Sequence, residues 1–309
     1  MTSISVTIPV FNGNKTLNEL HERLVAVLEK AADAYEIIFV DDGSTDPSWQ
    51  TITELALKDP STRGLRHSRN YGQHNALLTG MRHARYDIII TIDDDLQNPP
   101  EEIPILLAKL EEGYDVVYGI PDEERHGFFR DIASRLIKIA LQKTMGVKTG
   151  RYVSAYRVFK SRLCQAFIDY QHPYIVIDVL LSWATTSFAH VVVKHAKRNS
   201  GSSNYSLSKL ISHALNMITG FSIFPLQIAS YLGFIFTGFG IGVFIYVVGR
   251  YLMLGGSVPG FPFLAAIIAI FSGVQLFVLG IIGEYIARIH IRNMNQPLST
   301  IKEKVGYPE

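Results

Sequence analysis

The sequence predicts an α/β domain with a mainly parallel sheet, followed by a two-helix transmembrane hairpin. Three observations carry this. Over the amino-terminal part, short β-branched runs alternate with amphipathic segments, the pattern of strands joined by right-handed helical crossovers. Two uncharged apolar runs follow, at about 226–249 and 261–283, each long enough for a hydrocarbon core of about 30 Å. Between them and the amino terminus, the run Ile88-Ile89-Ile90-Thr91-Ile92 ends abruptly in Asp93-Asp94-Asp95. Carboxylates so placed sit at a strand's carboxyl end, where open α/β sheets bind their ligands.

Composition narrows the class. The chain has 309 residues, with 29 Lys plus Arg against 28 Asp plus Glu, so no bulk charge points to nucleic acid. A single cysteine, Cys164, excludes an internal disulfide and a Cys-rich zinc site, and reads as a buried apolar residue. Mean hydropathy is +0.17, and the apolar excess lies toward the carboxyl terminus. Met1-Thr2-Ser3 runs straight into Ile4-Ser5-Val6-Thr7-Ile8 with no cleavable signal between. The amino-terminal domain is therefore expected in the cytoplasm.

Taken in order, residues 4–9 form a first strand, and 14–32 a helix with Leu17, Leu20, Leu24, Val27 and Leu28 on one side. Residues 35–40 form a second strand, closed by Asp41-Asp42-Gly43-Ser44-Thr45-Asp46. Helix 47–58, strand 62–67 and helix 71–84 lead to the Ile88 strand, and Tyr114-Asp115-Val116-Val117-Tyr118-Gly119 is another strand. The polar loops Phe11-Asn12-Gly13, Asp41-Asp42, Ser68-Arg69-Asn70-Tyr71-Gly72 and Asp93-Asp94-Asp95 all follow strands and converge on one rim. The dinucleotide pattern G-x-G-x-x-G is missing after the first strand, and no Walker lysine loop occurs. Phosphates would then be held by side chains and a cation. Oxygen ligands at spacing one and three suit a hard divalent ion, Mg²⁺ or Mn²⁺, whose shell is completed by substrate phosphates. The competing reading of the same residues is a solvated acidic turn before a helix.

Four stretches in order carry a resemblance. Ile8-Pro9-Val10-Phe11-Asn12, Val40-Asp41-Asp42-Gly43-Ser44-Thr45-Asp46, Arg69-Asn70-Tyr71-Gly72 and Asp93-Asp94-Asp95-Leu96-Gln97-Asn98-Pro99-Pro100-Glu101 resemble family 2 glycosyltransferases of the GT-A fold. More narrowly, the chain resembles the polyprenyl-phosphate glycosyltransferases. The resemblance implies an inverting transfer of a sugar from a nucleotide diphosphate sugar, weighted to UDP, onto polyprenyl phosphate of the undecaprenyl type. Pro9, Phe11, Asp41, Asp42 and Asn70 would line the nucleotide pocket, and Asp93, Asp95 and Gln97 would hold the metal. Many relatives carry Glu where Gly13 stands here.

Further along, the resemblance assigns Arg125, Arg130 and Ser134 to the lipid phosphate, which suits the planar fork of Arg. Phe128, Phe129, Ile132, Leu136 and Ile139 form an apolar face edged by basic residues, suited either to an anionic membrane surface or to packing on the sheet. Ser154-Ala155-Tyr156-Arg157 matches a second family element and places Arg157 with the catalytic residues. Arg198 and Ser203 lie in a Gly- and Ser-containing loop that resembles one closing over the diphosphate. Asp93 and Asp95 count among the catalytic residues as well. Two rivals remain at this point. One is a processive polysaccharide synthase, which usually shows Gln-x-x-Arg-Trp and more spans; the other is a non-catalytic nucleotide-sugar-binding scaffold.

The expected organisation is thus a GT-A domain at 1–205, an amphipathic interfacial helix at 206–225, two spans within 226–288 and a cytoplasmic tail at 289–309. Lys and Arg after the second span, and none in the 255–260 connector, put both ends of the hairpin in the cytoplasm and the protein in the cytoplasmic membrane. Gly238 and Gly242 form a G-x-x-x-G, a spacing that supports helix association and with it a homo-oligomer.

Overall fold

The computed structural model describes residues 2–121, 152–171, 175–196, 224–254, 260–294 and 297–307. The chain forms two compact units, one of residues up to 211 together with 295–309, the other of 212–294. The expected interfacial helix before residue 224 and the basic helix around Phe128 lie outside the described residues.

The first unit is an α/β sandwich. Its elements in chain order are β1 (Ser3–Val10), α1 (Leu17–Ala31), β2 (Ala34–Asp41), α2 (Ser48–Lys58), β3 (Thr62–His67), α3 (Gln73–His83), β4 (Ile88–Thr91), α4 (Ile103–Glu111), β5 (Val116–Pro121), β6 (Arg157–Lys160), α5 (Ile177–Ala184) and β7 (Phe188–Val193). The final strand, β8 (Ile301–Val305), comes after the apolar helices. One eight-stranded sheet runs β7-β5-β6-β4-β1-β2-β3-β8. Strand β1 is parallel to β2 and β4, β2 to β3, and β5 to β7; β6 and β8 run antiparallel to their neighbours.

Alternation along the strands builds two apolar layers. Ile37 and Phe39 of β2 face a core shared with Leu17, Leu20, Leu24 and Leu28 of α1, Ile52 of α2 and Ile103 and Leu106 of α4. Ile38 and Val40 face the other side, with Leu65 of β3 and Ala76 of α3. Each such fully buried Leu or Ile contributes about 1.5–3 kcal/mol. With helices on both faces, the loops at the carboxyl ends of the central strands make the site.

Strand β8 departs from the expected tail. Ile301, Lys302, Glu303, Lys304 and Val305 alternate between half-buried and exposed, and pair with β3 in antiparallel register. Gly64 makes room for this: a Cβ there would stand 2.7 Å from a Val305 methyl and 2.6 Å from Ile52. Lys302 and Lys304 leave a charged outer edge, which discourages pairing with another chain.

The second unit holds α6 (Phe224–Leu254) and α7 (Phe261–Asn293), both longer than the uncharged runs. Their apolar stretches, Pro225–Met253 and Ile270–Asn293, have mean hydropathies of 2.1 and 1.7, and neither is buried in the protein. Both are long and apolar enough to cross a membrane. Phe271 meets Phe236 edge-on and Phe239 stacked, at centroid distances of 5.7 and 6.3 Å. Gly240 faces the Phe271 ring, while Gly238 and Gly242 have nothing within 4 Å of an added Cβ.

Candidate active site at the carboxyl edge of the sheet

Three loops are tied together by side chains that bond to backbone. Asn12 sits in the left-handed region with φ +56°, which Asn tolerates better than most residues. Its N–H donates to Ser44 Oγ at 2.9 Å, and its Oδ1 accepts from the Thr45 N–H at 2.9 Å. Asp42 is buried and accepts from the Tyr71 and Gly72 N–H groups at 2.9 and 2.7 Å, while His67 Nδ1 lies 2.8 Å from Oδ1. Gly43, with φ +71°, lets the second and third loops touch, because a Cβ there would be 2.6 Å from the Arg69 carbonyl carbon. Gly72, also left-handed at φ +95°, opens α3.

Asp41 stands behind this rim. It is fully buried, accepts from the Ser44 N–H at 3.1 Å, and has Arg66 Nε 3.3 Å from Oδ2. Burial raises its carboxyl above the usual range despite those partners.

The β4 loop supplies the acids. Asp93 Oδ1 accepts from Gln73 Nε2 at 2.7 Å, and Asp95 Oδ1 accepts from the Gln97 N–H at 3.1 Å. Leu96 between them has φ +60°, a conformation costing a non-glycine residue about 1–2 kcal/mol. Its buried side chain holds it there. Asp94 turns inward: burial first, and the charges of Asp93 and Asp95 next, push its carboxyl up to about 7. Its Oδ2 is buried without a hydrogen-bond partner, and lies 2.1 Å from where a Cβ on Gly13 would be. Glycine at position 13 therefore leaves the space that Asp94 fills.

A cleft of about 280 Å³ is lined by Pro9, Val10, Phe11, Asp42, Asn70, Gln73, Asp93, Asp94 and Asp95. Phe11 is 50% exposed, a flat apolar surface at its wall. The structure thus brings together Pro9, Phe11, Asp42, Asn70, Asp93 and Asp95 of the residues expected from sequence. Asp41, Gln97 and Arg157 do not line the cleft. The Gln97 carbonyl instead accepts from the Ala196 N–H at 2.9 Å, which brings the segment after β7 to the acidic loop. Arg125, Arg130, Ser134, Arg198 and Ser203 lie outside the described residues.

Arg157 is 2% exposed and forms an ion pair with Asp178 of α5. Tyr118 donates to the same Asp178 oxygen at 3.0 Å. The trio fixes the junction of β4, β5 and β6 rather than the cleft wall. Asp178 and Gln73 were not expected. An acid inside Ile177-Asp178-Val179-Leu180-Leu181 was the available signal for the first, and position one of a helix facing the acidic loop for the second. Cys164 is part-buried, and burial pushes its thiol up to about 12.

Among the described residues, no three His, Cys, Asp or Glu side chains converge as a preformed metal cage. Two carboxylates at the cleft, Asp93 and Asp95, nonetheless fit a hard ion such as Mg²⁺, which takes one or two carboxylates and fills its shell from substrate phosphates and water.

Comparison with known proteins agrees with this geometry. Residues 5–172 match the family described as glycosyl transferase family 2. The chain is 36% identical over 291 residues to an undecaprenyl-phosphate 4-deoxy-4-formamido-L-arabinose transferase of Edwardsiella ictaluri, covering 93% of this chain and 89% of that protein. It is 35% identical over 309 residues to the enzyme of the same name from Klebsiella pneumoniae, covering 99% and 94%. Among solved structures, glucosyl-3-phosphoglycerate synthase from Mycobacterium tuberculosis, in complex with Mn²⁺, UDP and phosphoglyceric acid, shares the fold. Its TM-score is 0.52 at 21% identity, over 71% of this chain and 76% of that one. The acids at the end of β4, the loops lashed around them and the matched residues lead to one conclusion: the chain belongs to glycosyl transferase family 2 and is a glycosyltransferase.

Proposed function

We propose that this enzyme transfers a sugar from a nucleoside diphosphate sugar, a UDP-sugar in first place, to polyprenyl phosphate of the undecaprenyl type at the cytoplasmic face of a membrane. The observation that carries the reading is one cleft in which an exposed phenyl ring, Phe11, and the carboxylates of Asp93 and Asp95 face the same space, in a chain with two membrane-length helices. The names of the relatives supply the lipid class.

Phe11 would pack on the base, and Asn70 would hydrogen-bond the nucleoside. Asp42 keeps the 69–72 loop in place with its backbone bonds. Asp93 and Asp95 would hold Mg²⁺ or Mn²⁺, which neutralises the diphosphate charge. Gln73 fixes the Asp93 carboxylate. Arg125, Arg130 and Ser134 are assigned to the lipid phosphate, and Arg198 and Ser203 to the diphosphate.

The acceptor is a phosphate monoester with a second pKa of about 6, so it is largely ionised at neutral pH. Its oxygen attacks the anomeric carbon, the bond from that carbon to the diphosphate oxygen breaks, and nucleoside diphosphate leaves with the electron pair. Configuration inverts. No side chain need remove a proton, and catalysis rests on positioning and charge.

The test is incubation of purified protein with undecaprenyl phosphate, Mn²⁺ and a panel of nucleotide sugars that includes UDP-4-deoxy-4-formamido-L-arabinose. A lipid-linked monosaccharide is expected. A polymer would identify a synthase, and nucleotide-sugar binding without transfer would identify a scaffold.

A further inference from the structure

We propose that the segment after the second apolar helix is part of the donor site, with Ser299 and Glu303 acting as positioning residues for the nucleotide cleft. This rests on the reading of that cleft as the donor pocket. Two separate routes lead from the segment to the cleft, one through hydrogen bonds and one that passes through the Arg66–Asp41 ion pair.

The first begins at Ser299. Its hydroxyl is 2.9 Å from Thr79 Oγ1, which is 3.0 Å from His67 Nε2. His67 Nδ1 reaches Asp42 Oδ1 at 2.8 Å, and Asp42 holds the Tyr71 and Gly72 N–H groups beside the cleft. Thr79, His67 and Asp42 are buried, so the inner members of the route bond to one another rather than to bulk water, while Ser299 is half-buried. Alongside, the Thr300 carbonyl accepts from the Ser68 N–H at 2.9 Å, fixing the start of the same loop.

The second begins at Glu303. Its Oε1 accepts from Arg66 Nη1 at 2.8 Å, and its Oε2 from Trp49 Nε1 at 2.9 Å. Arg66 Nε lies 3.3 Å from Asp41 Oδ2. Asp41 holds the Ser44 N–H, and Ser44 Oγ accepts from the Asn12 N–H, one residue beyond Phe11. An edge strand serving only to cover β3 would need its apolar contacts, Ile301 and Val305. It would not need polar side chains whose bonds end on a cleft wall.

The experiment compares full-length wild type with Ser299→Ala, Ser299→Thr and Glu303→Gln in detergent, by kinetics with donor and polyprenyl phosphate varied separately. Ser299→Ala and Glu303→Gln should each raise the donor KM about 3- to 10-fold, the effect of one hydrogen bond. Acceptor KM and melting temperature should stay at wild-type values, and Ser299→Thr should restore the donor KM. Equal shifts in both KM values, or a lowered melting temperature with an unchanged donor KM, would overturn the assignment and leave β8 a structural cover. Should wild type transfer nothing, the donor-pocket reading fails by itself. Amide exchange at Tyr71 and Gly72 still decides the positioning claim: faster exchange in Ser299→Ala supports it, and unchanged exchange overturns it.

Discussion

The two halves of the sheet differ in what their buried polar groups hold in place. Around β1, β2 and β3, carboxylates and amides bond to backbone N–H groups of other loops, as Asp42 does to Tyr71 and Gly72, and Asn12 to Thr45, in addition to side-chain pairs such as Glu36 with Arg63. Around β5, β6 and α5 they bond to each other, as Arg157, Asp178 and Tyr118 do. The first arrangement shapes loops and leaves acceptors at a cleft. The second neutralises charge inside a core and fixes how strands of opposite direction meet. A shared edge at β4 lets the second half brace the first: Thr91, paired with Arg157 across the ladder, sits two residues before Asp93.

Breaking the bracing half should have the largest effect. Asp178→Ala leaves the Arg157 guanidinium buried without its partner and should lower stability by about 3–5 kcal/mol, read by chemical denaturation. Arg157→Met combined with Asp178→Leu should recover most of it. If Asp178→Ala were neutral, the two halves would not differ as described. Next comes Asp95→Asn in the cleft. Turnover should fall about 100- to 1000-fold with melting unchanged, since one charge opposite the diphosphate is lost. A normal rate with normal Mn²⁺ dependence would remove the acidic loop from the mechanism.

A smaller effect is expected at the loop contact. Gly43→Ala introduces a side chain at φ +71° against the Arg69 backbone. A strain of about 1–2 kcal/mol should weaken nucleotide binding about 10-fold by calorimetry, while Gly113→Ala, left-handed but with nothing within 4 Å, should leave binding alone. The smallest concerns Asp115, behind the bracing half. Burial raises its carboxyl, but Lys160, Thr185 and Arg162 outweigh this and bring it down to about 2. An unfolded aspartate titrates near 3.9. The stability it contributes is therefore present above pH of about 4 and lost as pH falls toward 2. Asp115→Asn should remove on the order of 1 kcal/mol at neutral pH, after solvent screening, and flatten the acid limb of a stability–pH curve.

Sequence reading and structure agree where signals are local. Strands β1 to β4 and helices α1 to α3 announce themselves by apolar period and by polar loops, and six of the expected pocket residues line one cleft. The carboxyl edge of the sheet was legible because Asp41-Asp42 and Asp93-Asp94-Asp95 each end an apolar run. The elements that escaped depend on distant partners. Ile301-Lys302-Glu303-Lys304-Val305 reads as a charged tail, because its pairing with β3 lies 237 residues away at Arg66 and Glu303. Asp178 needs Arg157, and no spacing within α5 points there. The inward turn of Asp94 depends on the empty position at Gly13, a contact between two loops that neither announces.

Strand β8 also sets the order of manufacture. A ribosome delivers α6 and α7 before Ile301, at roughly 5–20 residues per second. The sheet therefore stays one strand short, with the β3 edge open, while both apolar helices are being made. Glu303 and Ser299 arrive only afterwards. On the positioning role proposed for Ser299 and Glu303, a chain stalled before β8 would carry the acidic loop and the Phe11 wall but an unbraced rim.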